Sequence, residues 1–302
     1  LRVVRDSPRA ILAAAVDTDP AKAQAAAQEF GCPAATCLDQ LPSLADAAIL
    51  AVPTTQHAEA GCALMAAGLD VLVEKPIAAT VEEAQRLTAA AAQFDRILQV
   101  GHLERFNPAV MALAQAVRLP LFFEVHRLSI FAPRSLDVDV VLDLMIHDLD
   151  IVLALTGEMP TEVSAAGIRI LSEKVDIANV RLAFPGGCIA NLTASRVSTE
   201  KVRKLRIFQP HEYISIDYAR QDGMVIAVDA KRQVALRPLG SVKREPLASQ
   251  FDNFLDSIAA RLAPTVDGAA ATRALTVASG ILVKIEEHAR IVNARLHASE
   301  QR

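Results

Sequence analysis

The chain has 302 residues, 52% of them hydrophobic and 22% charged, which is enough apolar material for two domains with separate cores. Its net charge of −4 and pI near 6.0 argue against a nucleic-acid or membrane-surface partner and favour a small molecule. Because no uninterrupted apolar run reaches the ~18 residues of a membrane span and no signal-peptide pattern opens the chain, we expect a cytoplasmic protein.

The first hundred residues alternate short apolar runs with helical segments. Strands are predicted at 11–16, 47–52, 69–73 and 97–100, with helices at 20–30, 56–67 and 80–94. The stretch Asp17-Thr18-Asp19-Pro20 supplies an N-cap and a first-turn proline for the first of these helices, and Thr80 with Glu83 forms a capping-box pattern for the last. This alternation predicts a parallel, doubly wound α/β sheet, assigned to a domain over residues 1–104.

The pattern changes after about residue 121, where long alternating runs follow one another. Strands are predicted at 121–130, 162–171, 177–184, 188–197, 204–208, 213–218, 224–228 and 233–238, and closing helices at 247–262 and 269–288. Hairpin turn residues separate several of these runs. Residues 105–302 are therefore predicted to form an α+β domain with an open, mainly antiparallel sheet.

A short apolar run at residues 71–73 ends abruptly in Glu74, Lys75 and Pro76. Such a run suits a strand buried on both faces, and ligands gather beyond the carboxyl ends of strands of this kind. Lys75 would then lie where chemistry occurs. The alternative is that Glu74 and Lys75 form a solvated pair at the start of a loop.

The predicted helix at 140–155 is apolar almost all round, so we expect it to be buried. Asp143, His147 and Asp150 fall at i, i+4 and i+7, which places them on one narrow stripe of a regular helix. Three ionisable groups on a buried stripe indicate a site, whereas Asp148 lies off the stripe and is expected to be structural. The four cysteines show no C-x-x-C spacing and no paired histidine cluster, so no metal or redox site is expected.

Three motifs in this order resemble the glucose-fructose oxidoreductase, inositol dehydrogenase and MocA (Gfo/Idh/MocA) family: Pro53-Thr54-Thr55-Gln56-His57, Glu74-Lys75-Pro76 and Asp143-x-x-x-His147. The resemblance covers nearly the whole chain. It implies a dinucleotide-binding domain, a substrate domain whose open sheet mediates a homodimer or homotetramer, and oxidation or reduction of a sugar or cyclitol carbinol with a nicotinamide cofactor.

The resemblance places the catalytic residues on Lys75, Asp143 and His147. A histidine is suited to take the hydroxyl proton at neutral pH, while Lys75 would hydrogen-bond the reacting oxygen and Asp143 would orient the substrate or the imidazole. The roles of Lys75 and His147 could be exchanged. The family also implies a cis peptide bond between Lys75 and Pro76.

For the cofactor, Asp17 ends the strand at 11–16, where an acid can accept hydrogen bonds from ribose hydroxyls and would repel a 2′-phosphate. NAD is therefore expected rather than NADP, unless Asp17 only caps the following helix. By resemblance Pro53, Thr54 and His57 line the nicotinamide side, and Glu74 contacts the cofactor's ribose. Lys75 is also expected to contact the cofactor. His57 could otherwise be an exposed residue of a helix first turn.

The segment from Gly101 to Pro108 resembles the family's link between the two domains and implies that Arg105 and Asn107 lie near the substrate, although Asn107-Pro108 also suits a helix start. Arg196 and the basic run at 201–206 resemble members that oxidise the 3-hydroxyl of UDP-N-acetylglucosamine, where basic groups could face a pyrophosphate. The alternative for that run is a solvated face. Other possible functions are an inositol or free-sugar dehydrogenase and a catalytically silent, cofactor-binding regulator.

The sequence departs from the family at its start. The family's Gly-rich phosphate loop lies about 20 residues before the ribose acid, yet no glycine precedes Gly31 and only sixteen positions precede Asp17. The usual first strand, central in the sheet, is also missing. We therefore expect that an N-terminal segment is absent from this sequence, and that a chain lacking it binds dinucleotide weakly or not at all.

Overall fold

The computed structural model describes residues 1–132 and 138–300, with side chains described as far as residue 294. The helices are α1 (Arg2–Asp6), α2 (Pro20–Phe30), α3 (His57–Ala66), α4 (Val81–Gln93), α5 (Pro108–Ala116), α6 (Ile146–Thr156), α7 (Pro246–Ala260) and α8 (Gly268–Glu300). The strands are β1 (Ala15–Val16), β2 (Ala34–Ala35), β3 (Ala47–Leu50), β4 (Asp70–Glu74), β5 (Leu98–Gly101), β6 (Phe122–Ile130), β7 (Glu162–Ile168), β8 (Ile177–Ala183), β9 (Ile189–Ser198), β10 (Val202–Gln209), β11 (Glu212–Asp217), β12 (Asp222–Val228) and β13 (Val234–Pro238).

The chain forms two compact units. The first comprises Leu1–Leu103 and Glu245–Thr272, and the second comprises Glu104–Arg244 and Arg273–Arg302. The chain therefore passes between the units three times, whereas the sequence predicted a single boundary at residue 104. The difference arises because Phe251 and Phe254 of α7 pack in one cluster with Leu72 and Ile97 of the first unit.

The first unit is built from parallel strands, as predicted. β3, β4 and β5 form one sheet, and β1 pairs with β2 in another. β1 has two residues where six were predicted, and Ile11 is 91% exposed. Within the described residues no strand pairs with both β1 and β3, so the two small sheets stay separate.

The predicted helix ends in the first unit are confirmed by their caps. The Asp19 side chain accepts a hydrogen bond from the backbone N–H of Ala21, and Gly31 ends α2 in the left-handed conformation. Thr80 and Glu83 form the complete capping box of α4. These caps fix where each helix leaves the carboxyl end of its strand.

The second unit contains an eight-stranded sheet in the order β13-β12-β11-β10-β6-β9-β8-β7. β6 and β9 run parallel, and the other neighbouring strands are antiparallel, which confirms the predicted mainly antiparallel sheet. Side chains from one face of this sheet join α5, α6 and α8 in a single apolar core.

α8 is long and apolar enough over Gly268–Ala294 to cross a membrane, judged by length and composition alone. Its apolar side is used within the protein, because Ala274, Ala278, Ile281 and Ile285 are buried in the core of the second unit. We therefore describe α8 as a core helix.

Candidate functional site

The carboxyl ends of three parallel strands meet at one edge of the small sheet, since β4 pairs with β3 on one side and β5 on the other. Val71 and Val73 are fully buried, whereas Glu74 and Lys75 at the end of β4 are half-buried. The predicted cis bond between Lys75 and Pro76 is confirmed. The structure therefore brings Glu74 and Lys75 to the edge where parallel sheets bind ligands.

Glu74 lies over Gly101, the first residue of the segment that resembles the family's link between the two domains. Gly101 is paired with Glu74 in the sheet, and a Cβ atom at position 101 would lie 2.7 Å from Oε2 of Glu74. Burial raises the pKa of Glu74, opposed by a hydrogen bond from the backbone of Lys75 and by the charges of Lys75 and His57. Gly101 thus makes room for this carboxylate, and a glycine opposite a strand-terminal acid is the signal that could have revealed it.

His57 is 1% exposed, so the alternative of an exposed first-turn residue is wrong. Its Nδ1 lies 2.9 Å from the carbonyl oxygen of Pro76, and its Nε2 lies 2.9 Å from that of Val52. Because both ring nitrogens contact the backbone, the ring has no nitrogen left for a cofactor. The structure places His57 beneath the site rather than on its surface.

Pro53, Thr54 and Asp17 remain accessible to a ligand. Pro53 is exposed and Thr54 half-buried at the start of a short 3-10 helix that follows β3. Asp17, also half-buried, follows β1, and its Oδ1 accepts a hydrogen bond of 2.9 Å from the backbone N–H of Asp19. Asp19, not Asp17, accepts the hydrogen bond that caps α2, and the ribose contact of Asp17 stays a prediction.

In the second unit, Asp143 lies in a π-helical turn, Val141–Met145, that leads directly into α6. His147 is in the first turn of α6, and both side chains are half-buried. A π turn closes i→i+5 hydrogen bonds, so the regular spacing assumed for a single polar stripe fails here. Asp150, predicted on the same stripe, is instead 2% exposed and pairs with Arg105.

A buried ion network surrounds the residue next to His147. Arg127 donates to both oxygens of Asp148, at 2.7 and 2.8 Å, and to Glu104 at 2.9 Å. The Tyr218 hydroxyl donates to Asp148 at 3.0 Å, and its ring lies 4.9 Å from the guanidinium. Burial would lower the pKa of Arg127, but the charges of Asp148 and Glu104 raise it well above its usual value. The expected structural role of Asp148 is confirmed, whereas Arg127 was missed.

Asn107 is 2% exposed and has no surface for a substrate. Its side-chain oxygen accepts a hydrogen bond from the N–H of Ala109 and caps α5, while its amide donates to Glu104 and to the carbonyl of Tyr218. The predicted substrate contact is therefore corrected to helix capping, the alternative that the Asn-Pro pair had suggested.

Arg196 and Arg105 are also engaged inside the second unit. Arg196 is 6% exposed, lies 3.7 Å from Asp176 and donates to the carbonyl of Val138. This burial corrects the prediction that Arg196 faces a substrate. Arg105, whose side chain is 18% exposed, lies 3.4 Å from Asp150 and keeps a partly accessible guanidinium.

The predicted site residues thus fall into two groups, one in each unit. Lys75 and Glu74 lie together on the first unit, and Asp143 and His147 lie together on successive turns of the second. Across residues 1–132 and 138–300, no group of three or more His, Cys, Asp or Glu side chains could hold a metal ion.

Comparisons with known proteins identify the family of the chain. Residues 1–102 match the oxidoreductase family with an NAD-binding Rossmann fold, and residues 122–211 match the GFO/IDH/MocA C-terminal domain. The chain is 37% identical to the UDP-N-acetylglucosamine 3-dehydrogenase of Acidithiobacillus ferrooxidans over 91% of this chain and 90% of the relative. A solved structure of that enzyme superposes with a TM-score of 0.88 over 92% of this chain and 90% of its own.

A more distant relative is the inositol 2-dehydrogenase of Rhizobium meliloti, which is 29% identical over 66% of this chain and 65% of the relative. The two family matches cover both halves of the chain, and the 37% identity extends across nearly all of it. The chain therefore belongs to the Gfo/Idh/MocA family of oxidoreductases, whose first domain has the NAD-binding Rossmann fold.

Proposed function

We propose that the protein is an NAD-dependent dehydrogenase that oxidises the 3-hydroxyl of UDP-N-acetylglucosamine. The observation that carries this proposal is the 37% identity to a UDP-N-acetylglucosamine 3-dehydrogenase over 91% of the chain. The inositol dehydrogenases are similar over shorter parts of the chain and at lower identity, which makes a cyclitol the second candidate substrate.

The chain's own residues supply groups that fit part of NAD. The Asp17 carboxylate, half-buried just after β1, would accept hydrogen bonds from ribose hydroxyls and repel a 2′-phosphate, which supports NAD over NADP. Pro53 and Thr54 would contact the nicotinamide side of the cofactor, and Glu74 would contact its ribose. No glycine occurs in residues 1–30, so that segment contains no glycine cradle for the pyrophosphate.

Bound NAD would supply the hydride acceptor for oxidation of the carbinol carbon. The protein must then remove the hydroxyl proton and favour the negative charge that develops on the oxygen. We assign proton removal to His147, because its ring can exchange a proton at neutral pH, and oxygen stabilisation to the Lys75 ammonium group. Asp143 orients the substrate or the His147 ring. The alternative assignment exchanges the roles of Lys75 and His147.

Substrate contacts are proposed for Arg105 in place of the buried Arg196 and Asn107. Arg105 is partly accessible, and a guanidinium can bind a phosphate with two hydrogen bonds. Oxidation at the sugar leaves the pyrophosphate unchanged, so such a contact would serve binding rather than the reaction itself.

We also propose a cytoplasmic homodimer or homotetramer that assembles through the open sheet. Phe122, Phe208, Tyr213, Ile226 and Leu236 are directly opposite one another on five successive strands and form one apolar row. Leu236 is 63% exposed and Phe208 is 39% exposed. Exposed apolar rows of this kind mark association surfaces. Sedimentation velocity measures how many copies of the chain associate in solution.

The decisive experiment measures NADH formation by the full-length protein with UDP-N-acetylglucosamine, N-acetylglucosamine and myo-inositol. Turnover confined to the UDP-sugar supports the proposal. Turnover confined to myo-inositol would instead make a cyclitol the substrate. Cofactor binding without turnover of any of the three supports the regulator instead.

The catalytic assignment is tested with Lys75→Ala. We expect turnover to fall at least ~100-fold with the fold retained, since this is what a single electrostatic donor contributes. Lys231→Ala, in an exposed turn, is the matched control and should leave turnover unchanged. An unaltered rate for Lys75→Ala would refute the role of Lys75.

A further inference from the structure

The buried ring of His57 joins the ends of two neighbouring strands. His57 is the first residue of α3, its side chain is 1% exposed, and each ring nitrogen lies 2.9 Å from a backbone carbonyl oxygen. One carbonyl belongs to Val52, just after β3, and the other to Pro76, just after β4. The histidine thus spans the edge of the sheet where Lys75 lies.

Each contact between a His57 ring nitrogen and a carbonyl oxygen is a hydrogen bond only if that nitrogen carries a proton. A carbonyl oxygen only accepts hydrogen bonds, and a neutral imidazole carries one N–H and one lone pair. A neutral His57 would therefore bond one carbonyl and set its lone pair against the other oxygen at 2.9 Å. An imidazolium ion carries two N–H groups and satisfies both carbonyls in the geometry observed.

The surroundings of the ring can support a positive charge. A buried charge needs a partner, and the carboxylate of Glu74 at the end of β4 interacts electrostatically with His57. Lys75 interacts with the same carboxylate and competes for it, and the N-terminal end of α3 also opposes a cation. The carbonyl dipoles of Val52 and Pro76 and the carboxylate of Glu74 all favour a positive charge on the ring.

We propose that His57 is a positioning residue, held as an imidazolium ion, that ties the Lys75–Pro76 segment to the end of β3 and so aims Lys75. The importance of this tie for turnover rests on the proposed function, whereas the charge of the ring does not. Because Pro76 directly follows Lys75, a fixed Pro76 carbonyl limits how far the lysine backbone can move. Misplacement of a catalytic group by about 1 Å can reduce a rate 100-fold.

The first test reads the ring directly in the unmodified protein. The full chain is labelled with 15N-histidine, and long-range proton–nitrogen correlation spectra are recorded at pH 7, with the His57 signals assigned by their absence in His57→Gln. We expect protons on both ring nitrogens. A single protonated nitrogen would overturn the proposal, whether or not the protein turns over any sugar.

The second test measures whether His57 acts through Lys75. The Gln side chain can donate to one carbonyl, so we expect His57→Gln to lower kcat by roughly 10- to 100-fold with the substrate KM unchanged. In a Lys75→Ala background the same substitution should have no further effect on kcat. His211→Gln, at an exposed turn, is the control and should leave kcat unchanged.

Equal losses from His57→Gln with and without Lys75 would overturn the positioning role. If the unmodified protein turns over no substrate, the proposed function fails while the nitrogen spectra still decide the charge of the ring. If His57→Gln does not fold, His57→Asn takes its place in both measurements.

Discussion

The two units hold their candidate site residues in different ways. In the first unit, the residues around Lys75 are fixed by backbone groups: His57 contacts two carbonyl oxygens, and Glu74 lies over the bare backbone of Gly101. In the second unit, the helix that carries His147 is fixed by ion pairs. Arg127 binds Asp148, and Arg105 lies beside Asp150.

This difference sets what each unit should tolerate. Substituting a side chain that contacts the backbone removes one neutral or charge-assisted hydrogen bond. Substituting one member of a buried ion pair leaves the other member as an unpaired charge inside the protein. We therefore expect substitutions in the second unit to act mainly on folding stability. Substitutions in the first unit should act mainly on the geometry around Lys75.

The largest expected effect is on the buried pair of Arg127 and Asp148. Arg127→Met leaves Asp148 without its partner, and removal of one member of such a pair costs about 3–5 kcal/mol of unfolding free energy. Urea unfolding followed by circular dichroism measures this loss. Arg203→Met is the matched control, since Arg203 lies 3.8 Å from Glu104 and is 34% exposed, and it should cost less than ~1 kcal/mol.

The double substitution Arg127→Met with Asp148→Leu sharpens the test. Removing both charges should recover part of the stability that Arg127→Met loses, because no unpaired carboxylate remains at position 148. A double variant less stable than Arg127→Met would show that the pair is not the source of the effect.

Much of the fold follows from local patterns in the sequence. Alternating apolar residues predicted all eight strands of the second unit, and the Thr80–Glu83 spacing predicted a capping box. These strands and this cap depend on residues close together in the chain, so the periodicity and spacing of the sequence can predict them. The two-residue length of β1 depends on its neighbours in the sheet, and the sequence of that segment alone did not reveal it.

The candidate site was predictable to the same extent. The apolar run before Lys75 predicted the strand that it follows, and the cis bond was expected from the family resemblance. The π turn around Asp143 and the partner of Asp148 were not predicted, since Arg127 lies 21 residues away and the pairing depends on the packing of β6 against α6. Long-range ion pairs of this kind have no spacing rule.

A smaller effect is expected at Gly101 in the first unit. Gly101→Ala places a methyl group 2.7 Å from Oε2 of Glu74 and 3.3 Å from its Cα, so the carboxylate must move. We expect a stability loss of about 1 kcal/mol and weaker NAD binding, measured by urea unfolding and by calorimetric titration. The control is Gly280→Ala, where a Cβ meets no atom within 4 Å and a helix interior should gain about 0.5–1 kcal/mol. Unchanged NAD binding in Gly101→Ala would mean that Glu74 does not contact the cofactor.

The smallest expected effect is a change of stability with pH in the second unit. Asp176 is fully buried, and burial alone would raise its pKa, but hydrogen bonds from the Ser172 hydroxyl and from the N–H groups of Ile170, Leu171 and Ser172 lower the pKa below its ordinary value of 3.8. A carboxylate whose folded pKa is lowered stabilises the fold above its unfolded pKa. That contribution is lost as the pH falls through the lower, folded pKa.

Asp176→Asn cannot titrate, so the stability gap between the natural protein and this variant should be constant near neutral pH and should narrow below about pH 4. Urea unfolding of both proteins between pH 7 and pH 3 measures the gap. Glu173→Gln, an exposed neighbour, controls for the general effect of acid on the chain. A stability gap that stays constant down to pH 3 would mean that the shape of the side chain at position 176, and not its charge, holds the backbone turn at residues 170–172. That result would weaken the contrast between a second unit fixed by ionised side chains and a first unit fixed by backbone contacts.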